Sequence, residues 1–325
     1  MKSLYPLFFE PVYQQYVWGG DRIARRFNRD LPEGVYAESW EVSDRTEGMS
    51  VVANGPLKGM PLADLIRDYG RDLLGTDSDE ARFPLLVKLI DARETLSVQV
   101  HPNDERAAAC GGEAKTEMWY VLEADPSARV YAGVRPGVDE VKFRDAMEQG
   151  ALEDLLHVEP VQAGDAIFMP GGRVHAIGAG CLLLEVQQNS NTTYRLYDWG
   201  RVGADGKPRD LHIDQAMQVI RWHDEDRVKM RPRRLGLIEK NELWEVLTCS
   251  HFRMERLLIR EPWPAGHDGR SFQVLFCADA PVRIRAENGS QDLVSGGTCL
   301  IPASVTRYTV EPLGAPATLL RITRP

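Results

Sequence analysis

Three short runs carry side chains that can do chemistry together. Leu96-Ser97-Val98-Gln99-Val100-His101 alternates strictly. As a strand it puts Leu96, Val98 and Val100 on one face and Ser97, Gln99 and His101 on the other. That polar row is costly to bury unless something binds it. Gln99 and His101 are two apart and can address one ion, and Pro102 ends the strand. In the run from Lys115 to Tyr120, Lys115, Glu117 and Trp119 share a face. Glu117 offers a carboxylate oxygen there, and Lys115 can answer an anion or move a proton. In Pro170-Gly-Gly-Arg-Val-His175 the glycines allow a tight turn, from which His175 enters a new strand. Gln99, His101, Glu117 and His175 together give two imidazoles, one carboxylate and one amide oxygen. The set suits Zn²⁺ or another borderline divalent ion, with a position left for water or substrate. It contains no thiolate, so an open catalytic site is expected rather than a closed structural one. A lone histidine is ordinarily a satisfied core or surface residue. The other five (His157, His212, His223, His251 and His267) have no comparable company and are assigned no role.

The elements that must hold these residues are mostly strands. Residues 37–43, 83–90, 95–101, 116–124, 165–170, 181–188 and 192–198 are rich in Val, Leu, Tyr and Trp between Gly, Pro, Asn or Asp. Helical spacing is confined to 61–75, 139–158 and 212–222. This is a strand-rich chain with helical insertions, not a βαβ alternation. After Trp222, the charged, aperiodic stretch 223–234 reads as a solvated linker, and short strands resume at 272–278, 282–287, 298–302, 306–310 and 317–322. Two domains are expected, 1–228 with the metal set and 229–325 without it. A weak repeat supports one β-unit used twice. Gly164 to Pro170 resembles Gly296 to Pro302, with His175 five residues after the first proline and Arg307 five after the second.

Composition sets outer bounds. The chain has 325 residues, 43% hydrophobic and 27% charged, which fits an ordinary globular protein rather than a disordered or fibrous one. A net charge of −9 opposes generic binding to nucleic acid or an anionic membrane. No apolar run approaches the ~18 residues that cross a bilayer. The N-terminal residues lack a signal-peptide core, so export is not expected. Five dispersed cysteines without a CxxC pair are expected as reduced thiols in a cytoplasmic protein. The run 171–180 lacks a GxxxxGK[ST] signature, so no nucleotide cofactor is implied.

With these residues in view, the sequence resembles the type I mannose-6-phosphate isomerases. The shared runs are WGG at 18–20, ESWEVS at 38–43, LSVQVHPND at 96–104, KTEMWYVL at 115–122, PGGRVHAIGAG at 170–180 and EVQQNSNTTYRLYDWGR at 185–201. The resemblance spans most of residues 5–222 and is weak beyond about 230. It implies a mainly β fold of two cupin barrels, with helical insertions in the first and a degenerate second. It also implies one Zn²⁺ or other divalent ion per chain on Gln99, His101, Glu117 and His175, and an essential arginine at Arg195. Asn191 stands where the family often has Asp, and Trp199 where another aromatic is common; neither removes a ligand.

The implied reaction interconverts mannose 6-phosphate and fructose 6-phosphate through a cis-enediol. A divalent ion and fixed positive groups stabilise the developing oxygen charge, and Arg195 is suited to clamp it. Lys115 is either a proton shuttle with a lowered pKa or a charged donor to substrate. Ser97 and Trp18 are expected at the substrate. Glu38, Glu185 and Arg201 are further candidates to line the pocket, with Asp198 behind it. The partner is a small phosphosugar, and the chain is expected as a monomer or homodimer. Two other readings are a metal cupin oxygenase and a non-catalytic sugar-binding cupin. The cations Arg195 and Lys115 favour the isomerase over the first, and the long QQNSNTTYR run favours it over the second.

Overall fold

The computed structural model describes residues 3–76, 78, 80–203 and 206–325. Among the described residues there are 25 strands and six α-helices, the mainly β fold expected. The chain divides into two compact units. One contains 13–39 and 88–230; the other contains 1–12, 40–87 and 231–325. Residues 1–12 and 40–87 thus group with the C-terminal stretch and not with the rest of the first 228. The helices Leu62–Tyr69 and Arg71–Leu74 go with them.

Two sheets run through residues 88–230. One runs Ala166–Met169, Glu117–Ala124, Cys181–Gln188, Leu85–Ala92, Glu38–Val42 and Val12–Gln14. The other runs Leu156–Pro160, Arg129–Val134, His175–Ile177, Val98–Val100 and Tyr194–Tyr197. Side chains from both fill the space between, among them Ile90, Trp119, Val130, Ile167, Ile177 and Leu183. The outer face of the second sheet is apolar as well. Val98, Val100, Ala176 and Leu196 pack there with Phe143 of helix Glu140–Glu148 and Met217 of helix Ile213–Val219. The expected alternation therefore holds for 97–101, whose polar stripe faces the inter-sheet space, but not for Leu96, which precedes the strand and packs in the inter-sheet core rather than with Val98 and Val100.

The other unit repeats the same strand order. Its first sheet contains, in sequence of pairing, Thr298–Ile301, Gln273–Cys277, Ala317–Thr323, Arg253–Ile259, Asn241–Thr248 and Arg233–Ile238. Its second contains Val282–Ala286, Arg307–Pro312 and Trp263–Gly266. Leu257, Leu275, Ile284, Val310 and Leu319 fill its core. The short sequence repeat therefore marks a repeated architecture. Leu7–Glu10 adds to the first of these sheets, with Leu7 opposite Leu300.

Two expected helices come out shorter. The 61–75 segment breaks at Gly70, whose φ of 46° continues no helix. In 139–158 the helix stops at Glu148, and Gly150 at φ 69° turns the chain into a 3₁₀ segment and then the strand Leu156–Pro160. The stretch 223–234 holds no residue buried as a whole and contains the division between the two units at 230/231, as a solvated linker would, but it is tied to the fold at points. The Asp224 side chain is 2% exposed and paired with the buried Arg173 guanidinium. Lys229 bridges Ile167, and a strand begins at Arg233. A stretch held by side-chain pairs has no periodicity for a sequence reading to detect.

Candidate active site

Three strands, with His101 just past the end of one, bring the expected donors to one point in the inter-sheet space. His175 pairs directly with Gln99, and Gln99 on its other side with Arg195. Glu117 opens the neighbouring strand of the facing sheet. His101, Glu117 and His175 are each at most 2% exposed. One ligating atom from each lies within 4.8 Å of the others. His101 Nε2 is 3.5 Å from Glu117 Oε2, and His175 Nε2 is 3.2 Å from Glu117 Oε1. Two ligands of one tetrahedral ion at ~2.05 Å stand about 3.3 Å apart, so these spacings fit a shared divalent ion. The Gln99 amide abuts His175 Nε2 at 3.4 Å.

One turn orients the His175 imidazole and holds the His101 main chain. His175 Nδ1 donates to the Arg173 carbonyl at 2.8 Å, which leaves Nε2 with a free lone pair. Gly172 N–H donates to the His101 carbonyl at 2.7 Å. Gly172 has φ 91°, and a Cβ there would stand 2.6 Å from Arg221 Cγ, so the turn requires glycine. Arg173, 2% exposed, anchors the turn. Its guanidinium grips Asp224 through Nε and Nη2, and donates to the carbonyls of Phe168 and Asp226 at 2.7 Å each.

The electrostatics favour a cation. Lys115 Nζ lies 3.0 Å from Glu117 Oε2 and 3.1 Å from His101 Nε2. Lys115 thus meets Glu117 Oε2, while Oε1 is buried with no hydrogen-bond partner and faces His175 Nε2 at 3.2 Å. A buried carboxylate oxygen without a donor is costly unless a cation meets it. Burial, followed by Lys115, holds His101 well below the ordinary histidine value, and burial also lowers His175. Both imidazoles are thus kept neutral, the form that binds a metal. Burial pushes Lys115 down as well. Burial would raise Glu117, but Lys115, His175 and Lys88 outweigh it and hold the carboxyl below its usual value. The His101–Glu117–His175 group therefore fits a divalent ion.

A cavity of about 360 Å³ opens onto Gln99, Lys115 and Glu117. Its size falls in the range of small-ligand sites. Trp18, stacked on Tyr16 with ring centroids 5.5 Å apart, lines it together with Ser97, Lys115 and Arg195. Ser97 ties two neighbours together. It donates to Gln99 Oε1 and receives Arg195 Nε, both at 3.3 Å. Arg195 Nη1 donates to the Asp210 carbonyl at 2.9 Å. Burial and then Arg209 lower its pKa. Glu38 and Glu185 face the cavity, but Arg201 and Asp198 are not among its lining residues. Those two pair with each other at 2.6 Å, and Asp198 also takes Arg209.

Sequence reasoning missed Lys88, Arg209 and His212, all of which line the cavity. Lys88 is 7% exposed and pairs with Glu185 at 2.7 Å and Glu38 at 3.4 Å. Glu185 Oε1 in turn receives Trp119 Nε1 at 2.8 Å. A lysine inside the apolar run FPLLVKLI was the available signal. His212 Nδ1 accepts the Arg195 backbone N–H at 3.3 Å, a contact that no local pattern announces.

Fold and site together define a mainly β protein with a buried, strand-borne group able to hold a divalent ion. Residues 7–131 match the family profile of the phosphomannose isomerase type I catalytic domain. A mannose-6-phosphate isomerase of Streptococcus mutans is 42% identical over 216 residues, which is 66% of this chain and 67% of its own. The Bacillus subtilis protein YvyI is 37% identical over 314 residues, 94% of this chain and 96% of its own. The crystal structure of the mannose 6-phosphate isomerase from Bacillus subtilis has a TM-score of 0.89 at 28% identity, covering 98% of this chain and 99% of that one. The chain belongs to the type I phosphomannose isomerase family.

Proposed function

We propose that this protein is an aldose–ketose isomerase that interconverts mannose 6-phosphate and fructose 6-phosphate. The observation that carries the reading is the convergence of His101, Glu117 and His175, of which Glu117 lines a cavity together with Gln99, Lys115 and Arg195, in a chain of this family. Gln99, His101, Glu117 and His175 would hold one divalent ion, zinc by the nitrogen and oxygen donor set. When bound, the ion supplies Lewis-acid stabilisation to a sugar oxygen that gains charge.

The remaining chemistry falls to side chains. Moving the carbonyl between C1 and C2 requires a proton to leave one carbon and arrive at the other, through a cis-enediol. Lys115 is the candidate to carry it, since burial lowers its pKa and brings a neutral amine within reach. Glu117, 3.0 Å away, opposes that shift and keeps Nζ aimed into the cavity. Arg195, braced by Ser97 and the Asp210 carbonyl, presents a fixed cation to the enediolate oxygens or the phosphate. Trp18 and Tyr16 offer an apolar wall to the sugar. The Glu38–Lys88–Glu185–Trp119 chain of contacts stiffens the wall opposite.

Lys88, Lys115, Arg195 and Arg209 line one cavity, which suits an anionic sugar better than the apolar substrate of an oxygenase. The fold reads as two cupin barrels, with catalysis in the 13–39 and 88–230 unit. All five cysteines are free, which agrees with a cytoplasmic protein. A monomer or homodimer suffices, since every named residue lies in one chain. The test is fructose 6-phosphate production from mannose 6-phosphate, with chelator and with Zn²⁺ restored. Activity lost and regained is expected. No turnover with Zn²⁺, Mn²⁺ or Co²⁺ supplied would overturn the substrate assignment.

A further inference from the structure

The unit formed by 1–12, 40–87 and 231–325 has its own cavity, of about 410 Å³. Strand registers show where it lies in the repeat. Glu117 stands opposite Met169, the residue before Pro170, and Gln273 stands opposite Ile301, the residue before Pro302. His175 stands opposite Gln99, and Arg307 opposite Gly266. Two residues past Gly266 is Asp268, the counterpart of His101. Gly266, Asp268 and Gln273 all line this second cavity. It is the repeat equivalent of the candidate active site, with the metal-binding side chains replaced.

We propose that this cavity is a second small-ligand site, built for a tetrahedral oxyanion such as a phosphate group. The charge logic of the repeat is inverted here. Glu185 stands opposite Trp119, and its counterpart opposite Leu275 is Arg321. The Lys88–Glu185 pair therefore reappears with reversed signs as Arg321–Glu255. Glu255 is 4% exposed and fixes two guanidinium groups. Its Oε1 takes Arg253 Nη2, and its Oε2 takes Arg321 Nη2, both at 2.6 Å. Arg321 is also braced over the Trp263 ring at 5.4 Å. Four arginines (253, 270, 321 and 324) line the cavity with the carboxylates of Glu255 and Asp268 and the α-carboxylate of Pro325. Glu245 and Glu80 lie outside this lining and pair with Arg253 and Arg324 at 3.8 and 3.2 Å. A guanidinium carries five donors, and one carboxylate shared by two arginines uses few of them. Arg253 Nε is buried with no hydrogen-bond partner. Pre-aligned arginine forks around a polar cavity are the usual means of holding phosphate.

Two measurements on the full-length protein test this. Crystals soaked in sodium tungstate locate a tetrahedral oxyanion by its anomalous signal. Calorimetric titration with inorganic phosphate compares wild type, R270Q and R253Q/R270Q. Arg270 is exposed, so R270Q is expected to melt and turn over like wild type. The expected result is tungsten density beside Arg253 and Arg321, with a phosphate-binding event weakened at least about tenfold in both variants. Tungsten only in the cavity of Gln99 and Arg195, or nowhere, would overturn the proposal. Tungsten here with unchanged calorimetry would mean binding at crystal concentration only, and would overturn it equally.

Discussion

The turn that carries both histidine contacts hangs on one buried ion pair, and that pair can be cut. Replacing Asp224 with Ala leaves the Arg173 guanidinium, 2% exposed, with its two carbonyl acceptors and no counter-charge. Breaking a buried pair from one side costs about 3–5 kcal/mol. At about 2–4 °C per kcal/mol this predicts a fall in Tm of roughly 6–20 °C. A second effect is specific to the site. The Arg173 carbonyl orients His175 Nδ1, and the Gly172 N–H holds the His101 carbonyl. Loosening the turn frees the His175 ring and the His101 main chain, and loss of such an orienting contact weakens metal binding about 10–100-fold. The assay is competition for Zn²⁺ with a chromophoric chelator, beside thermal melts with and without the ion. Asp224→Asn separates the terms, because it keeps the shape and removes the charge. A Zn²⁺ affinity for Asp224→Ala within about twofold of wild type would refute the claim that this pair sets ligand orientation, even if the melt moved.

Glu117→Gln removes the one anionic donor of the site; metal content by mass spectrometry should fall well below one per chain, with turnover following it. Lys115→Met should lower kcat about 10²–10⁴-fold, in line with loss of a general acid–base group. Its metal content should stay near wild type, and full loss of metal would instead make Lys115 a structural support. Asp91, pushed up to about 6 mainly by burial, makes stability depend on pH. The folded state holds the extra proton between the ordinary value near 3.8 and about 6. This contribution is therefore complete below about pH 4 and lost as pH rises through 6, by about 3 kcal/mol. Urea midpoints at pH 5 and pH 8 should show this slope in wild type and a flatter one in Asp91→Asn; equal slopes would count against it. Gly172→Ala should destabilise by more than about 1 kcal/mol, from both the positive φ and the contact with Arg221, and a wild-type melt would contradict that.

The local part of the site was legible and the long-range part was not. Strand alternation placed Gln99 and His101 on one face, and Lys115 with Glu117 and Trp119 on another, because side-chain direction follows from a period of two. It could not report that Glu185 reaches Trp119 across 66 positions, or that Lys88 lies between two glutamates. Those contacts depend on which strands become neighbours. Asp224 misled for the same reason: in a charged run it resembles any solvated acid until Arg173 is seen beside it. The repeat at 164–170 and 296–302 was visible, and it pointed to a shared strand order that only the pairing registers spell out. Helix ends failed where single glycines, Gly70 and Gly150, turn the chain.

The unit built from 1–12, 40–87 and 231–325 has a consequence for how the chain is made. Leu7 pairs with Leu300, so the strand Leu7–Glu10 is synthesised nearly three hundred residues before its partner. Residues 13–39 and 88–230 are all made before residue 231, at a few to twenty residues per second of synthesis, so most of the strands that carry the candidate site can pair first. The first strand must therefore wait, unpaired, while the middle of the protein folds. A shortened chain ending near residue 229 would leave that apolar strand and the 40–87 segment without their sheet. Premature termination at that point should yield an aggregating product rather than a smaller working enzyme, even though every residue placed at the candidate active site would be present.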